Sequence, residues 1–311
     1  MKNKKIIVLM GGPSSEAEVS RRTGAAILQA LLSKGYQAEG LELDPPNLVN
    51  DLKRLQCDIV FNAVHGKFGE DGALQGLLDM IGMPYTGSGL LASAVTMDKV
   101  ASKRVFEAEG ISTPRSRFFR RSDAPNDVTE AVMSEFSLPV VIKAASQGSS
   151  IGVVIVESRT EIEAALKTAF SYSEEVLVEE FIKGRELTVA VWNTEPKQAF
   201  SIIEIVPHSG RYDYESKYTK GAADHIVPAV LEASLTEKVK EMAIKTFTAT
   251  GCNGVARVDF MLGEDHTPYV LEVNSVPGMT ETSLVPDAAR ADGISFADLC
   301  ERILRMVNCT K

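Results

Sequence analysis

The chain has 311 residues, of which 44% are hydrophobic and 24% charged, and it carries a formal net charge of -9 at pH 7. That length calls for two or three compact units rather than one small core, and the composition is that of a folded globular chain, not a disordered one. The acidic balance argues against a general nucleic-acid binder, which needs surplus Lys and Arg to displace counterions, and no uninterrupted apolar run reaches membrane-spanning length, so neither nucleic acid nor membrane is expected as a partner.

The basic start Met1-Lys2-Asn3-Lys4-Lys5 leads into an apolar run, Ile6 to Met10, that stops at Gly11-Gly12-Pro13. This run is too short for the core of a secretory signal, and a cytoplasmic chain is expected. Lys5 to Met10 predicts a buried strand, the glycines a turn, and Ser15 with Glu18 three residues on a capping-box helix start. This strand, glycine turn and helix make a Rossmann-like opening. A helix around Leu48 to Leu55 and a strand from Asp58 to Val64 extend it, so residues 1–96 are expected to form an α/β unit on a parallel sheet. The string Gly87-Ser-Gly-Leu-Leu-Ala92 follows no clear first strand, so it is expected to be a helix-start turn, not a dinucleotide fingerprint.

From Met97 the pattern becomes a charged helix, Asp98 to Glu109, followed by strands at Val140–Lys143, Gly152–Val156 and Val176–Glu179. Residues 97–186 thus read as a mixed α+β lobe. A third lobe, 187–311, opens with strands Leu187–Trp192 and Phe200–Val206, and later holds Val255–Leu262 and Tyr269–Val273 on either side of Gly263 to Pro268, an antiparallel hairpin. The irregular stretch 207–228, rich in Gly, Tyr, Lys and Asp, is long enough to suggest a mobile lid. Cys57, Cys252, Cys300 and Cys309 show no metal or redox spacing and are expected to be reduced structural thiols; His208, His225 and His266 are expected in solvated loops.

The chemistry concentrates in the last hairpin. Arg257 and Asp259 lie two apart in one strand, Glu272 and Asn274 two apart in its partner, so each pair shares a face. Opposed across the hairpin, Asp259, Glu272 and Asn274 gather oxygen ligands suited to Mg²⁺, and charge in strands otherwise as apolar as these needs a partner. Ser275-Val276-Pro277-Gly278-Met279-Thr280 follows directly, a loop whose glycine lets backbone N–H groups approach a developing oxyanion. Lys143 ends a strand before the small-residue loop Ala144 to Gly152, a candidate phosphate wrap that does not have the P-loop form. Between Glu179 and Glu186, carboxylates could take an adenine amino group and ribose hydroxyls, with Phe181 or Ile182 packing the ring. His65-Gly66 stands at a strand end, the edge where sheets of this kind bind ligands.

Taken in order, these pieces closely resemble the D-alanine:D-alanine ligases, from Gly11-Gly-Pro-Ser-Ser-Glu16 to Ser283-Leu-Val-Pro286. The intervening matches are His65 to Gly76, Pro84 to Gly89, Met97-Asp-Lys99, Gly148 to Gly152, Tyr212 to Tyr218, Ala256 to Asp259 and Glu272 to Met279. The resemblance implies an ATP-grasp fold of three lobes, with D-alanine, ATP and two Mg²⁺ or Mn²⁺ ions as ligands, and a homodimer. ATP would phosphorylate the carboxylate of one D-alanine, and the amine of a second would attack the acyl phosphate. By position, Lys99 and Lys143 match phosphate-binding lysines, Glu179, Phe181, Ile182 and Glu186 the adenosine pocket, and Asp259, Glu272 and Asn274 the metal ligands. Glu16 matches the carboxylate for the first D-alanine's ammonium, with Ser149 and Tyr218 joining it to the lid and His65 nearby. Arg257 and the Gly278 N–H match oxyanion stabilisers, and Ser283 and Lys217 the groups around the second D-alanine's carboxylate.

The chain departs from the family pattern at Gln147, where an acid is frequent, and at Glu180, where a lysine is often seen. Neither position touches the expected reacting centre. The resemblance further implies that Lys217-Tyr218 favours an amine acceptor over D-lactate. The alternatives are another ATP-grasp D-amino-acid or D-alanine:D-lactate ligase and, more distantly, a nucleotide-binding module without catalysis, which would have no need of Arg257, Asp259, Glu272, Asn274 and Lys217 together.

Overall fold

The computed structural model describes residues 1–123, 125–148, 152–208, 221–280 and 282–307, which form three sheets. The first has β1 (Lys5–Met10) between β2 (Gln37–Glu42) and β3 (Ile59–Asn62), all parallel. Ile6, Ile7, Val8 and Leu9 are all fully buried, as a continuous apolar run must be when a parallel strand is covered on both faces. One cover is α1 (Ala17–Ser33) together with a helix from the far end of the chain, Phe296–Arg305; the other is α2 (Leu48–Arg54) with α3 (Ala73–Met80). This is the parallel α/β unit expected.

The capping box expected at Ser15 and Glu18 does not form. Helix α1 begins at Ala17 with Glu16 in the capping position and no side-chain cap bond. The Glu16 carboxylate is turned instead towards Gly66 and Gly148.

The turn expected at Gly87 to Ala92 is the start of α4 (Leu90–Met97), with Gly89 in the capping position. Asp98, in extended backbone, then separates α4 from α5 (Lys99–Ala108) and caps it by accepting from the Ala101 N–H at 2.8 Å. This is the charged helix read from sequence, and its Phe106 is buried in the core of the third sheet.

The central sheet has the antiparallel order β4-β7-β5-β6, from β4 (Ser116–Arg120), β5 (Val140–Ala144), β6 (Val153–Val156) and β7 (Glu175–Glu180). Helices α6 (Pro125–Glu135) and α7 (Ile162–Phe170) bury Val132, Ile162 and Ala169 against it.

The third sheet runs β11-β10-β8-β12-β13. Its members are β8 (Gly184–Trp192), β9 (Gln198–Ala199, paired with β8), β10 (Ile203–Pro207), β11 (Ala223–Ile226), β12 (Val255–Gly263) and β13 (Pro268–Asn274). Helix α8 (Ala233–Ala249) covers one face; α9 (Leu284–Ala291) and the last helix, α10 (Phe296–Arg305), share the core of the first unit, where Ala190, Trp192 and Val255 also lie. The strand read at Phe200–Val206 starts later, at Ile203: Phe200 still donates its N–H to the Ala190 carbonyl of β8, but Ser201 turns its N–H to Asp292 Oδ2 at 2.9 Å. His225, expected in a solvated loop, lies in β11 with Nδ1 2.8 Å from Asp287 on α9; a carboxylate within reach draws the ring in.

Only residues 181–183 separate β7 from β8, so the chain crosses from the central to the third sheet in three residues. Gly184 is required at the landing: a Cβ there would stand 1.9 Å from the Leu262 carbonyl oxygen with which the strand must pair.

Candidate active site

The hairpin β12–β13 aligns Asp259 with Glu272 and Arg257 with Asn274, and its register shifts just after Asp259, a bulge that disrupts the ladder beside the carboxylates. Asp259 is 7% exposed and is hydrogen-bonded at both oxygens. Its Oδ1 accepts from Arg257 Nε at 2.8 Å and from Thr188 Oγ1 at 2.6 Å; its Oδ2 accepts from Arg257 Nη2 at 2.8 Å and Asn274 Nδ2 at 2.9 Å. Glu272 Oε2 pairs with Lys99 Nζ at 3.3 Å. Thr188, on β8 opposite Asp259, is a site residue that sequence reasoning missed; its one signal is a hydroxyl inside the apolar run Leu187 to Trp192.

Among the described residues no group of three or more His, Cys, Asp and Glu forms a metal cluster. The donor set Asp259, Glu272 and Asn274 offers two carboxylates and an amide oxygen, which fits a hard divalent ion that takes its remaining ligands from phosphate and water.

Lys99 stands beside this set. Its Nζ donates to the Gln147 carbonyl at 2.6 Å, and its backbone N–H to the Ala145 carbonyl at 2.9 Å, which ties α5 to the loop after β5. Lys143, on β5, pairs through Nζ with Glu179 Oε2 at 2.5 Å, while Lys103 Nζ stands 2.6 Å from Glu179 Oε1. Burial alone would lower the Lys143 ammonium, but Glu179 holds it above the ordinary lysine value; burial would raise Glu179, and the two lysines hold it below the ordinary carboxylate range. Glu179 is 1% exposed with a lysine on each oxygen, so its carboxylate acts on the lysines instead of lying open to a base. Lys103 was not anticipated; its signal is a position one helical turn beyond Lys99.

At the junction of the two sheets Phe181 is exposed, Ile182 half-buried, and Glu186 follows on β8. Glu180 Oε1 accepts from the Arg115 N–H at 2.8 Å, a bond within the fold at one of the two positions that departs from the family pattern; at the other, Gln147 Nε2 donates to the Tyr172 carbonyl at 3.2 Å.

The first unit contributes a second cluster. His65 is buried, with Nε2 3.0 Å from Thr23 Oγ1, and burial lowers its pKa against the opposing influence of Glu16 and the Val276 backbone. Glu16 is 7% exposed between two glycines: a Cβ on Gly66 would lie 2.7 Å from its Oε2, and one on Gly148 3.1 Å. Glu70, also unanticipated, accepts from the Gly66 N–H at 2.6 Å; burial and the nearby Glu16 push its pKa up to about 8. Gly278 and Ser283 come together at the far side of the hairpin. Ser283 occupies the capping position of α9, and its Oγ accepts from the Thr280 N–H at 3.0 Å. A Cβ on Gly278 would lie 3.1 Å from that Oγ.

Ser149, Lys217 and Tyr218, and most of the expected lid, lie outside the described residues, as does Cys309. The other three cysteines are free thiols; burial pushes Cys57 up to about 11 and Cys300 up to about 12, and raises Cys252, which keeps them protonated and inert. No helix among the described residues is long and apolar enough to cross a membrane.

Comparison with known proteins gives the same outline. The family described as D-ala D-ala ligase C-terminus matches residues 105–305, and D-ala D-ala ligase N-terminus matches residues 46–88. Relatives include the D-alanine–D-alanine ligase of Carboxydothermus hydrogenoformans, 48% identical over 97% of each chain, and that of Geotalea uraniireducens, 48% identical over 98% of this chain and 96% of its own. Among solved structures, the D-alanine–D-alanine ligase of Bacillus anthracis complexed with ATP superposes with a TM-score of 0.85 at 34% identity, covering 97% of both chains. VanG D-Ala:D-Ser ligase from Enterococcus faecalis superposes with a TM-score of 0.84 at 28% identity, covering 98% of this chain and 99% of its own. On this likeness across nearly its whole length, the chain belongs to the D-alanine–D-alanine ligase family and has its ATP-grasp fold.

Proposed function

We propose that the chain joins two D-alanines at the expense of ATP, through a D-alanyl phosphate, for peptidoglycan precursor synthesis. The observation that carries this reading is the face-to-face placement of Asp259 and Glu272, each with its own cation, Arg257 and Lys99. In the first step a carboxylate oxygen of D-alanine attacks the γ-phosphorus of ATP, the bond to the bridging oxygen breaks, and ADP leaves. In the second step the amine of another D-alanine attacks the acyl carbon, the amide bond forms, the amine loses a proton, and phosphate departs. Such chemistry asks the protein chiefly for positioning and charge neutralisation.

In this reading Glu16 takes the ammonium of the first D-alanine, with His65, Ser149 and Tyr218 beside it. Lys99 and Lys143 neutralise phosphate oxygens; Phe181, Ile182 and Glu186 accommodate adenosine, and Glu179 joins them through its hold on Lys143. Asp259, Glu272 and Asn274 would hold two Mg²⁺ or Mn²⁺ ions. When bound, the ions supply positive charge at the transferring phosphoryl group. Arg257 and the Gly278 N–H stabilise the oxyanion, and Ser283 with Lys217 receives the second carboxylate at the start of α9, where a helix terminus favours negative charge. We further propose three working units, 1–96, 97–186 and 187–311, with a lid in 207–228, and a homodimer acting in the cytoplasm.

The test is phosphate release with ATP, Mg²⁺ and a panel of D-alanine, D-serine, D-lactate and L-alanine. ADP should form only with a D-amino acid, and most rapidly with D-alanine alone. ATP binding with no release on any of these would leave a nucleotide-binding module instead, and preferred incorporation of D-serine or D-lactate would assign a different acceptor.

A further inference from the structure

Glu179 carries two ammonium groups, and they are not equivalent. Lys143 reaches Oε2 from a strand beside the candidate phosphate loop and is 12% exposed in its side chain. Lys103 pairs with Oε1 from α5 with 4% exposure, and its Nζ donates hydrogen bonds to Thr113 Oγ1 at 2.6 Å and to the Pro114 carbonyl at 2.7 Å. Thr113 Oγ1 in turn donates to the Val270 carbonyl of β13 at 2.7 Å. Lys103 is therefore held from three sides, by Glu179, Thr113 and Pro114. Lys143 is the one of the two placed to turn towards a nucleotide.

We propose that Lys103 is a positioning residue for nucleotide binding: it is the fixed counter-charge of Glu179, and it frees Lys143 to exchange that carboxylate for nucleotide phosphate. A buried carboxylate left without a partner is strongly unfavourable, so with Lys143 as its only cation Glu179 would hold the lysine back. With Lys103 at 2.6 Å the carboxylate stays paired whichever way Lys143 points. The inference rests on the proposed nucleotide role of Lys143, but it concerns binding, so it does not require the ligase reaction itself.

The experiment is a double-mutant cycle of Lys103→Met and Glu179→Gln, read by calorimetric titration with ADP and with a non-hydrolysable ATP analogue, both with Mg²⁺. Lys103→Met should weaken nucleotide binding on the order of tenfold, the size of coupling found between contacting charges. Adding Lys103→Met to Glu179→Gln should weaken it by less than about twofold, because the charge that needed neutralising is gone. In steady-state assays the KM for ATP should rise while the KM for D-alanine holds. Thr113→Val, which removes one anchor but leaves the ion pair, should leave nucleotide affinity nearly unchanged. An equal loss in the Thr113 variant, or independent losses in the double variant, would make Lys103 a structural tie only and overturn the proposal. If Lys103→Met alone does not fold, the neutral double variant still decides: it should fold and bind like Glu179→Gln, and its failure to fold sinks the idea. A wild-type chain that binds nucleotide but makes no dipeptide would refute the ligase reading and leave this one standing; a wild-type chain that binds no nucleotide would refute both.

Discussion

Arg257 grips both oxygens of Asp259, Nε on Oδ1 and Nη2 on Oδ2, each at 2.8 Å. The two residues lie two apart on one strand, so the fork is built into β12 and needs no distant element to assemble it. What a distant element adds is the Thr188 hydroxyl, which fixes the remaining direction of Oδ1 from β8. Thr188→Val keeps the shape of the side chain and removes that donor. Removing an outer-shell partner of this kind costs roughly 10- to 100-fold in metal affinity or activity, so the Mg²⁺ concentration for half-maximal phosphate release should rise by about that factor. An unchanged Mg²⁺ dependence would show that Arg257 and Asn274 orient Asp259 unaided.

Gly66 is constrained twice. Its φ of 71° lies in the left-handed region, and a Cβ would stand 2.7 Å from Glu16 Oε2. Gly66→Ala should destabilise the fold by about 1–2 kcal/mol from backbone conformation alone. It should also push the Glu16 carboxylate aside. The KM for D-alanine should therefore increase while affinity for nucleotide, bound against other elements, is retained; denaturant titration and a comparison of the two substrates would check both parts. Equal losses for both substrates would detach Glu16 from the amino-acid site.

Much of the candidate site is legible in local sequence, and the remainder depends on contacts that cross the chain. The pairing of Asp259 with Glu272 follows from a period of two on both arms of a short hairpin, and the parallel first sheet from a run as apolar as Ile6 to Leu9. Thr188 could not be placed beside Asp259 in this way, because 71 positions separate them and only the β8–β12 register brings them together. Lys103 reads in sequence as one more charge on a charged helix; its partner Glu179 lies far along the chain on β7 of the central sheet. The capping box at Ser15 fails for a related reason: Glu16 takes the capping position and faces Gly66 and Gly148, tertiary neighbours that no local pattern registers.

Glu70 gives a pH dependence with a definite sign. Its pKa is pushed up to about 8 in the folded chain by burial and by Glu16, against an ordinary value of 4.5. Between those two values the folded state holds the proton and the unfolded state has lost it, so stability falls as pH rises through that window. Glu70→Gln removes the titrating group while keeping an oxygen to accept from the Gly66 N–H. Relative to wild type, the variant should gain in unfolding midpoint as pH is taken from 5 to 8. His65 acts in the opposite sense below its ordinary value of 6.5, because burial lowers its pKa, and it is present in both proteins, so its effect falls out of the comparison to first order. A constant difference in midpoint across the range would mean that Glu70 is ionised throughout.

Helix α5 presents Lys99 and Lys103 to the site, and its own placement is set by Phe106. That ring is fully buried among Val189, Phe247, Phe260 and Val270, within the core of the third sheet, although the helix precedes the central sheet in the chain. Phe106→Ala should cost about 3–5 kcal/mol in stability, from lost transfer free energy and the cavity left behind. Because Lys99 reaches Glu272 and the Gln147 carbonyl from the same helix, loosening it should also slow phosphate release in the fraction that remains folded. Phe106→Leu, which keeps most of the volume, should recover the larger part of both losses. If leucine restored stability but not turnover, the helix would be positioned by contacts other than this core.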